Sequence, residues 1–177
     1  MPYVPAPVIE KLCAKEASVK RVVFILTLFA FNALAITDDA DVFSYSTTTC
    51  LGTCPGYSVA VFSDGVIVFN GEAFTNLEGI YRLPENKELF QRILHLLDES
   101  DFNGFRDRYG WTAEGEEEVC AEIVTDHPNT ILSIQYANTK KTIYHYHGCL
   151  GFEGEEELLS LEKALFEMLG IKSYVGT

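Results

Sequence analysis

The sequence predicts an α+β fold, in which an antiparallel sheet is covered on one face by two helices. Three observations lead to this prediction. Asp64-Gly65 separates two β-rich runs, three further β-rich runs follow later in the chain, and two segments place apolar residues at helical spacing. The resulting order is hairpin region, helix, three-stranded meander and helix, and strands grouped apart from helices in this way are typical of α+β domains.

The first predicted strand covers residues 42–49. In this run Phe43 and Tyr45 alternate with small hydroxyl residues, as in a half-buried strand. A turn-rich insert follows directly, with the sequence CLGTCPGY. The chain is therefore expected to leave the sheet briefly before the next strand begins.

A β-hairpin is predicted next. Residues 57–63 and 66–70 flank Asp64-Gly65, and Asp-Gly between two β-rich runs is the strongest short-range hairpin signal. A further short strand is expected at 79–83, immediately before the first helix.

The first helix is predicted to begin at Pro84. Proline suits the first helical position because its missing N–H has no partner inside the helix there. One face of this helix is apolar and must pack on the sheet, since five residues share it at helical spacing. They are Leu89, Phe90, Ile93, Leu96 and Leu97.

Three β-rich runs form the second half of the predicted sheet. They cover 119–125, 130–136 and 141–147 and are separated by short polar turns, so a three-stranded meander is expected. The last helix is predicted from about 155 to 169. Its opening glutamates suit the positive end of the helix dipole.

The N-terminal segment resembles a signal peptide rather than part of the fold. The apolar run VVFILTLFAF follows Lys20 and Arg21, and a small-residue cleavage site ends at Ala35. At near 15 residues the apolar run is shorter than the roughly 20 that span a bilayer. We therefore predict a signal peptide over 1–35, with an uncleaved membrane anchor as the alternative, and one α+β domain over 36–177.

The chain is strongly acidic. It contains 13 basic and 26 acidic residues, a formal charge of −13, and cleavage at the predicted site leaves 9 and 24, a charge of −15. Nucleic acid is excluded as a partner because phosphate binding needs clustered Lys and Arg. An E-G-E-E-E stretch occurs at 114–118 and again at 153–157, and both copies are interpreted as solvated acidic surface.

Four cysteines remain after the predicted cleavage, and an even number in an exported chain indicates disulfides. Cys50 and Cys54 can close a bridge within their turn, or either can pair with Cys149. In the predicted meander Cys120 and Cys149 lie at opposite ends of the sheet, beyond the roughly 7 Å Cα separation that a disulfide allows. A Cys120–Cys149 bridge is therefore not expected.

A metal site is one interpretation of the strand around His145. The strand period of two places His145, His147 and Cys149 on one face. H-x-H on a strand is good ligand spacing for Zn²⁺, and Cys50 or Cys54 could complete four ligands. The alternative is a solvent-facing polar strand that binds no cofactor and whose tyrosines face the helices.

The turn-rich insert carries a motif of the form C-x-G-x-C-P-x-Y, followed by a strand and a D-G turn. The segment resembles a family of exported bacterial domains of unknown function, and the resemblance covers about 43–169. It implies a compact exported domain and brings no catalytic residues with it. The motif positions are candidate binding residues, and they are Cys50, Gly52, Cys54, Pro55 and Tyr57.

Enzyme signatures are missing from the sequence. There is no G-x-S-x-G elbow, P-loop, H-E-x-x-H pair or dinucleotide-binding glycine pattern. We therefore expect a periplasmic or secreted, non-enzymatic domain that binds a basic protein or a cell-envelope component. The alternatives are a metal- or thiol-dependent enzyme that uses these cysteines and histidines, and an envelope protein whose cysteines serve stability alone.

Overall fold

A seven-stranded sheet with helices packed against it is the framework of the molecule. The computed structural model describes residues 40–111 and 118–175, so the predicted signal peptide lies outside the described residues. The strands are β1 (Val42–Thr47), β2 (Gly56–Phe62), β3 (Ile67–Ala73), β4 (Gly79–Leu83), β5 (Arg108–Tyr109), β6 (Glu122–Ile123), β7 (Asn129–Tyr136), β8 (Thr139–Tyr146) and β9 (Cys149–Leu150). The helices are α1 (Leu89–Glu99), α2 (Glu155–Met168) and α3 (Lys172–Val175).

The strand order of the large sheet is β4-β3-β2-β1-β7-β8-β5. Neighbouring strands are antiparallel except β5 and β8, which are parallel. The first strand of the sequence thus lies in the middle of the sheet. It pairs with β2 on one side and with β7 on the other, so that Thr47 lies opposite both Tyr57 and Thr130.

The predicted hairpin at Asp64-Gly65 is confirmed. The Gly65 N–H donates to the Phe62 carbonyl at 3.0 Å, and an Asp64 carboxylate oxygen accepts from the Val66 N–H at 3.0 Å. Gly65 has φ = +95°, a conformation that glycine adopts without a steric penalty. The short strand predicted next is present as β4, with the predicted bounds.

The prediction of a three-stranded meander is wrong. Strands β7 and β8 form a hairpin around Ala137-Asn138, two residues with positive φ, as a two-residue turn requires. Of the segment 119–125, only β6 is a strand, and it pairs with β9 in a separate two-stranded sheet. The Val124 N–H donates to the Gly148 carbonyl at 2.8 Å. The segment 119–125 therefore lies against the residues that follow β8 and does not pair with β7.

The core lies between one face of the large sheet and the helices. Burial alternates along the strands, and the buried strand residues share one hydrophobic cluster with apolar residues of α1 and α2. The second helix agrees with the prediction, whereas α1 begins at Leu89 and not at Pro84. Hydrogen bonds of Asn86 explain the later start. Its N–H donates to the Gly65 carbonyl and its side chain accepts from the Glu88 N–H, so the residues before Leu89 are held outside the helix.

A search of the described residues finds no helix that is long and apolar enough to span a membrane.

Candidate functional site

Three ionisable side chains meet inside the core, where charged groups are rarely placed without a partner. His145 and His147 come from β8 and its C-terminal end, and Glu162 comes from α2. His145 is only 2% exposed and Glu162 only 4%, whereas the His147 side chain is 29% exposed. The cluster therefore reaches solvent along the His147 side.

The carboxylate of Glu162 lies between the two imidazoles. Its Oε1 lies 2.8 Å from Nδ1 of His145, and its Oε2 lies 3.7 Å from Nε2 of His147. The hydroxyl of Thr130, itself 2% exposed, lies 2.7 Å from the same Nε2. The histidines, the carboxylate and the threonine thus form one connected polar cluster, which we call the His–Glu cluster (Thr130, His145, His147 and Glu162).

The strand period explains why the two histidines lie together. Residues two apart on β8 point to the same face, and the His145 and His147 rings have centroids 4.5 Å apart. This face packs against α2. His145 is buried and Tyr144 is exposed, so the alternative interpretation, in which the tyrosines face the helices and the histidines face solvent, is wrong for these two residues.

Aromatic rings hold His145 in place. Phe152 and Tyr109 each meet its ring edge to face, at centroid distances of 5.5 and 6.3 Å, and their own rings lie 4.3 Å apart. Such contacts restrict the imidazole to one orientation, with Nδ1 directed at Glu162. Packing and hydrogen bonding thus fix the geometry of the His–Glu cluster together.

Two buried tyrosines extend the polar region along β1 and β2. The rings of Tyr45 and Tyr57 are stacked with centroids 6.2 Å apart. Burial raises the pKa of Tyr57 to about 12. Burial likewise raises the pKa of Tyr45, and the charges of Tyr57 and Glu162 contribute in the same direction. Both phenols are therefore neutral at physiological pH and serve as hydrogen-bonding groups.

The pKa of His147 is shifted in the opposite direction. Burial is the largest cause of its lowered pKa, positive charge on His145 and His127 lowers it further, and the Glu162 carboxylate opposes the shift. His147 is accordingly a neutral imidazole at neutral pH, the form in which histidine accepts hydrogen bonds or binds metals.

All four cysteines of the described residues are in disulfides. Cys50 is bridged to Cys54, which is the local one of the two pairings that the sequence left open for these cysteines. A second bridge joins Cys120 to Cys149, which contradicts the expectation for that pair. The physical reason is the pairing of β6 with β9, which brings the two Cα atoms to 5.1 Å.

The disulfides remove the cysteines from the predicted chemistry. Cys149 cannot supply a thiolate to a metal while its sulfur is bonded to Cys120, and Cys50 and Cys54 cannot complete a ligand set while bonded to each other. A thiol-dependent reaction likewise has no free thiol in the described part of the chain. Glu162, not a cysteine, lies beside the two histidines.

Glu162 was absent from the sequence prediction, although the sequence carries a signal for it. It lies within the apolar stripe of α2, which Leu158, Leu161 and Leu165 define at helical spacing. A glutamate on the buried face of a helix needs a partner in the core. The packing of α2 against β8 determines which partner Glu162 meets, and no local sequence pattern encodes that packing.

The turn-rich insert lies at the end of the sheet. The Thr47 hydroxyl donates to the Pro55 carbonyl at 2.8 Å and ties the insert to β1. Gly52 lies in a bend, and Leu51, between the bridged cysteines, is 81% exposed. Among the five predicted binding residues, Tyr57 alone enters the core, where it stacks on Tyr45.

A separate surface feature is a groove between α1 and α2, which we call the acidic groove. Its volume is about 480 Å³. Apolar side chains and carboxylates share its lining, which contains no Lys, Arg or His among the described residues. The lining consists of Leu96, Glu99, Ser100, Asp101, Glu156, Glu157, Ser160, Leu161 and Ala164.

Fold and site together define a disulfide-bonded α+β domain with a buried His–Glu cluster and an acidic groove. Residues 41–169 match the family model described as Domain of unknown function (DUF6438), and the chain belongs to that family. Searches of curated proteins and of solved structures each found no match. That the Cys50-to-Tyr57 motif is the signature of exported bacterial members stays a prediction.

Proposed function

We propose that this protein is an exported binding domain that captures a cationic partner in the acidic groove. The observation that carries the proposal is the composition of the groove, in which four carboxylates surround apolar side chains without a basic residue among those described. A partner segment with Lys or Arg beside an apolar side chain complements both features. A basic protein is the expected partner, and a cationic component of the cell envelope is the other source of such chemistry.

The two kinds of lining residue would do different work. Long-range attraction between the chain, with its net charge of −13, and a basic partner raises the association rate and is screened by salt. Burial of apolar surface over Leu96 and Ala164, which are both part-exposed, would supply the part of the affinity that salt does not weaken. The carboxylates of Glu99 and Glu156 would select cationic partners over neutral ones.

The disulfides support an exported location. Disulfides persist in oxidising compartments and are rare in the cytosol. Two bridges in one small domain therefore favour the periplasm or the cell exterior, in agreement with the signal peptide predicted at 1–35. A non-enzymatic role is proposed because the groove carries carboxylates but no nucleophile paired with a base.

A charge-neutralisation experiment tests the groove. The triple variant Glu99→Gln, Glu156→Gln, Glu157→Gln is compared with Glu72→Gln, Glu78→Gln, Glu122→Gln, which removes the same charge from exposed positions outside the groove. Calorimetry at low salt with lysozyme as the basic probe is expected to show at least about tenfold weaker binding for the groove variant only.

Two outcomes would overturn this proposal. Equal losses in the two triple variants would indicate non-specific attraction to total charge. Binding of wild type that is unchanged between about 20 and 500 mM NaCl would mean that charge does not guide association, because the Debye length falls severalfold over that range. Circular dichroism and thermal unfolding confirm that each variant is folded.

A further inference from the structure

We propose that His145, His147 and Glu162 form a binding site for a divalent transition metal ion, with zinc as the ion of best fit. This site is distinct from the acidic groove and independent of the function proposed for it. Its third ligand is the Glu162 carboxylate from α2, whereas the sequence predicted Cys149 in that role. The inference rests on three observations, namely the spacing of the ligand atoms, the rigidity of their supports and the path to solvent.

The spacing of the three ligand atoms suits a metal ion. One ring nitrogen from each histidine and one carboxylate oxygen lie within 4.8 Å of one another. Zinc binds imidazole nitrogen and carboxylate oxygen at about 2.0–2.2 Å, which in tetrahedral geometry separates neighbouring ligand atoms by about 3.4 Å. The two carboxylate oxygens of Glu162 each lie close to one histidine, Oε1 at 2.8 Å from Nδ1 of His145 and Oε2 at 3.7 Å from Nε2 of His147, and these distances lie on either side of that value. Small side-chain rotations therefore suffice to admit an ion.

Two of the three ligands lie in regular secondary structure, and the third directly follows a strand. His145 is the penultimate residue of β8 and His147 follows the strand, while Glu162 lies in the middle of α2. Phe152 and Tyr109 fix the His145 ring from the sides. Ligands on rigid elements with packed surroundings lose little freedom on binding, which favours affinity.

The chemistry of the ligand set selects the ion. Two imidazole nitrogens and one carboxylate oxygen suit Zn²⁺ and its first-row neighbours, whereas Ca²⁺ and Mg²⁺ prefer oxygen ligands throughout. A bound dication would also pair directly with the Glu162 carboxylate inside the core, where an unpaired charge is costly. The arrangement is therefore more suitable for zinc than for a hard cation.

A fourth ligand position is available beside His147. The Thr130 hydroxyl lies 2.7 Å from Nε2, so it borders the space that an ion would occupy. It can either bind the ion or hold a water molecule in the fourth position. His147, with 29% of its side chain exposed, provides the route by which an ion enters.

The competing interpretation is a metal-free hydrogen-bonded cluster that only anchors α2 to the sheet. The two interpretations differ in what added metal does. A site binds one ion per chain and gains stability by mass action, whereas a structural cluster gains none. A variant that keeps the shape of Glu162 but removes its charge separates the two.

The test measures Zn²⁺ and Co²⁺ binding to the full-length, chelator-treated chain. Calorimetry is expected to show one Zn²⁺ per chain, and Co²⁺ to give the visible absorption of a tetrahedral N/O site. His147→Gln and Glu162→Gln are each expected to weaken Zn²⁺ binding at least about 100-fold, because each removes one of three protein ligands.

The chain offers a matched control. His95 and Glu99 form an exposed pair with 3.1 Å between Nδ1 and Oε2, so His95→Gln removes a histidine next to a glutamate at the surface. This variant is expected to bind Zn²⁺ like wild type. Micromolar Zn²⁺ should raise the unfolding temperature of wild type and of His95→Gln but not of Glu162→Gln.

Failure of this proposal is distinguishable from failure of the groove proposal, since no partner is present in the experiment. Absence of Zn²⁺ binding to wild type at micromolar concentration would overturn it. So would equal Zn²⁺ affinity in wild type and in His147→Gln, a variant expected to fold because the His147 side chain is part-exposed.

Discussion

Glu162 links the sheet to α2 at the scale of single residues. A buried carboxylate with one strong hydrogen bond at 2.8 Å and a second imidazole at 3.7 Å is held from two directions. Removal of one partner from such a cluster leaves a buried group unsatisfied, which costs more than the hydrogen bond itself contributes. The cluster thus fixes the position of α2 more narrowly than apolar packing alone would.

The lowered pKa of His147 predicts how stability depends on pH. Because the unfolded chain binds a proton near the ordinary pKa of about 6.5 and the folded chain binds it only at lower pH, the free energy of unfolding falls as the pH drops below about 6.5. The loss ends at the folded-state pKa. Urea unfolding of metal-free protein between pH 8 and pH 5 measures this effect.

His147→Gln is the variant that isolates the effect. The residues that face His147, namely Glu162, His145 and His127, remain in place, so their own titrations persist in the variant. Its stability is expected to fall less steeply below pH 6.5 than that of wild type, while His95→Gln keeps the wild-type slope. Identical pH dependence of the free energy of unfolding in all three proteins would contradict the assignment of this effect to His147.

At the scale of secondary structure, short-range signals predicted most elements. Asp64-Gly65 encodes a turn through its own conformational preference, and α2 carries its apolar stripe within one helix. The prediction that 119–125 pairs with β7 was wrong because the β-rich composition of this segment does not specify a partner strand. Only the tertiary structure decides that β6 pairs with β9, and the error about the Cys120–Cys149 bridge followed from it.

The same limit applies to the candidate site. The strand period placed His145 and His147 on one face, but it could not tell which face is buried. Polar residues on both sides of β8 gave no apolar stripe that would decide the question. Glu162, 17 residues from His145, enters the site through packing of α2 on the sheet.

The two disulfides should contribute unequally to stability. Cys120–Cys149 closes a loop with a sequence separation of 29, and Cys50–Cys54 one of 4. Loop-closure entropy gives about 3–4 kcal/mol for the first and about 2 kcal/mol for the second. Urea unfolding of Cys120→Ala/Cys149→Ala and of Cys50→Ala/Cys54→Ala is expected to show the larger loss for the first pair. Equal or reversed losses would contradict the entropic account.

At the scale of the whole molecule, charge is the dominant feature. A formal charge of −13 on 177 residues produces repulsion among carboxylates in the folded state. Some of these carboxylates are concentrated around the acidic groove, where the C-terminal end of α1 meets the N-terminal end of α2. The same concentration of carboxylates that attracts a basic partner therefore destabilises the free protein by mutual repulsion.

Stability is therefore expected to increase with salt. From about 10 to 150 mM NaCl the Debye length decreases from about 30 to 8 Å, which screens the repulsion between carboxylates. The unfolding temperature should rise over this range, and less so in Glu99→Gln, Glu156→Gln, Glu157→Gln. An unfolding temperature that falls with NaCl would refute the prediction.

The central position of β1 has a consequence for the order of folding. Its partner β2 follows within 20 residues, whereas its other partner, β7, lies more than 80 residues further along the chain. Until β7 is in place, β1 has an open edge of unpaired backbone groups that another chain could extend. Closing this distant pairing is slow relative to forming the hairpins, because a long loop must first be ordered. The His–Glu cluster does not depend on that step, since its residues lie in β7, at the end of β8 and in α2.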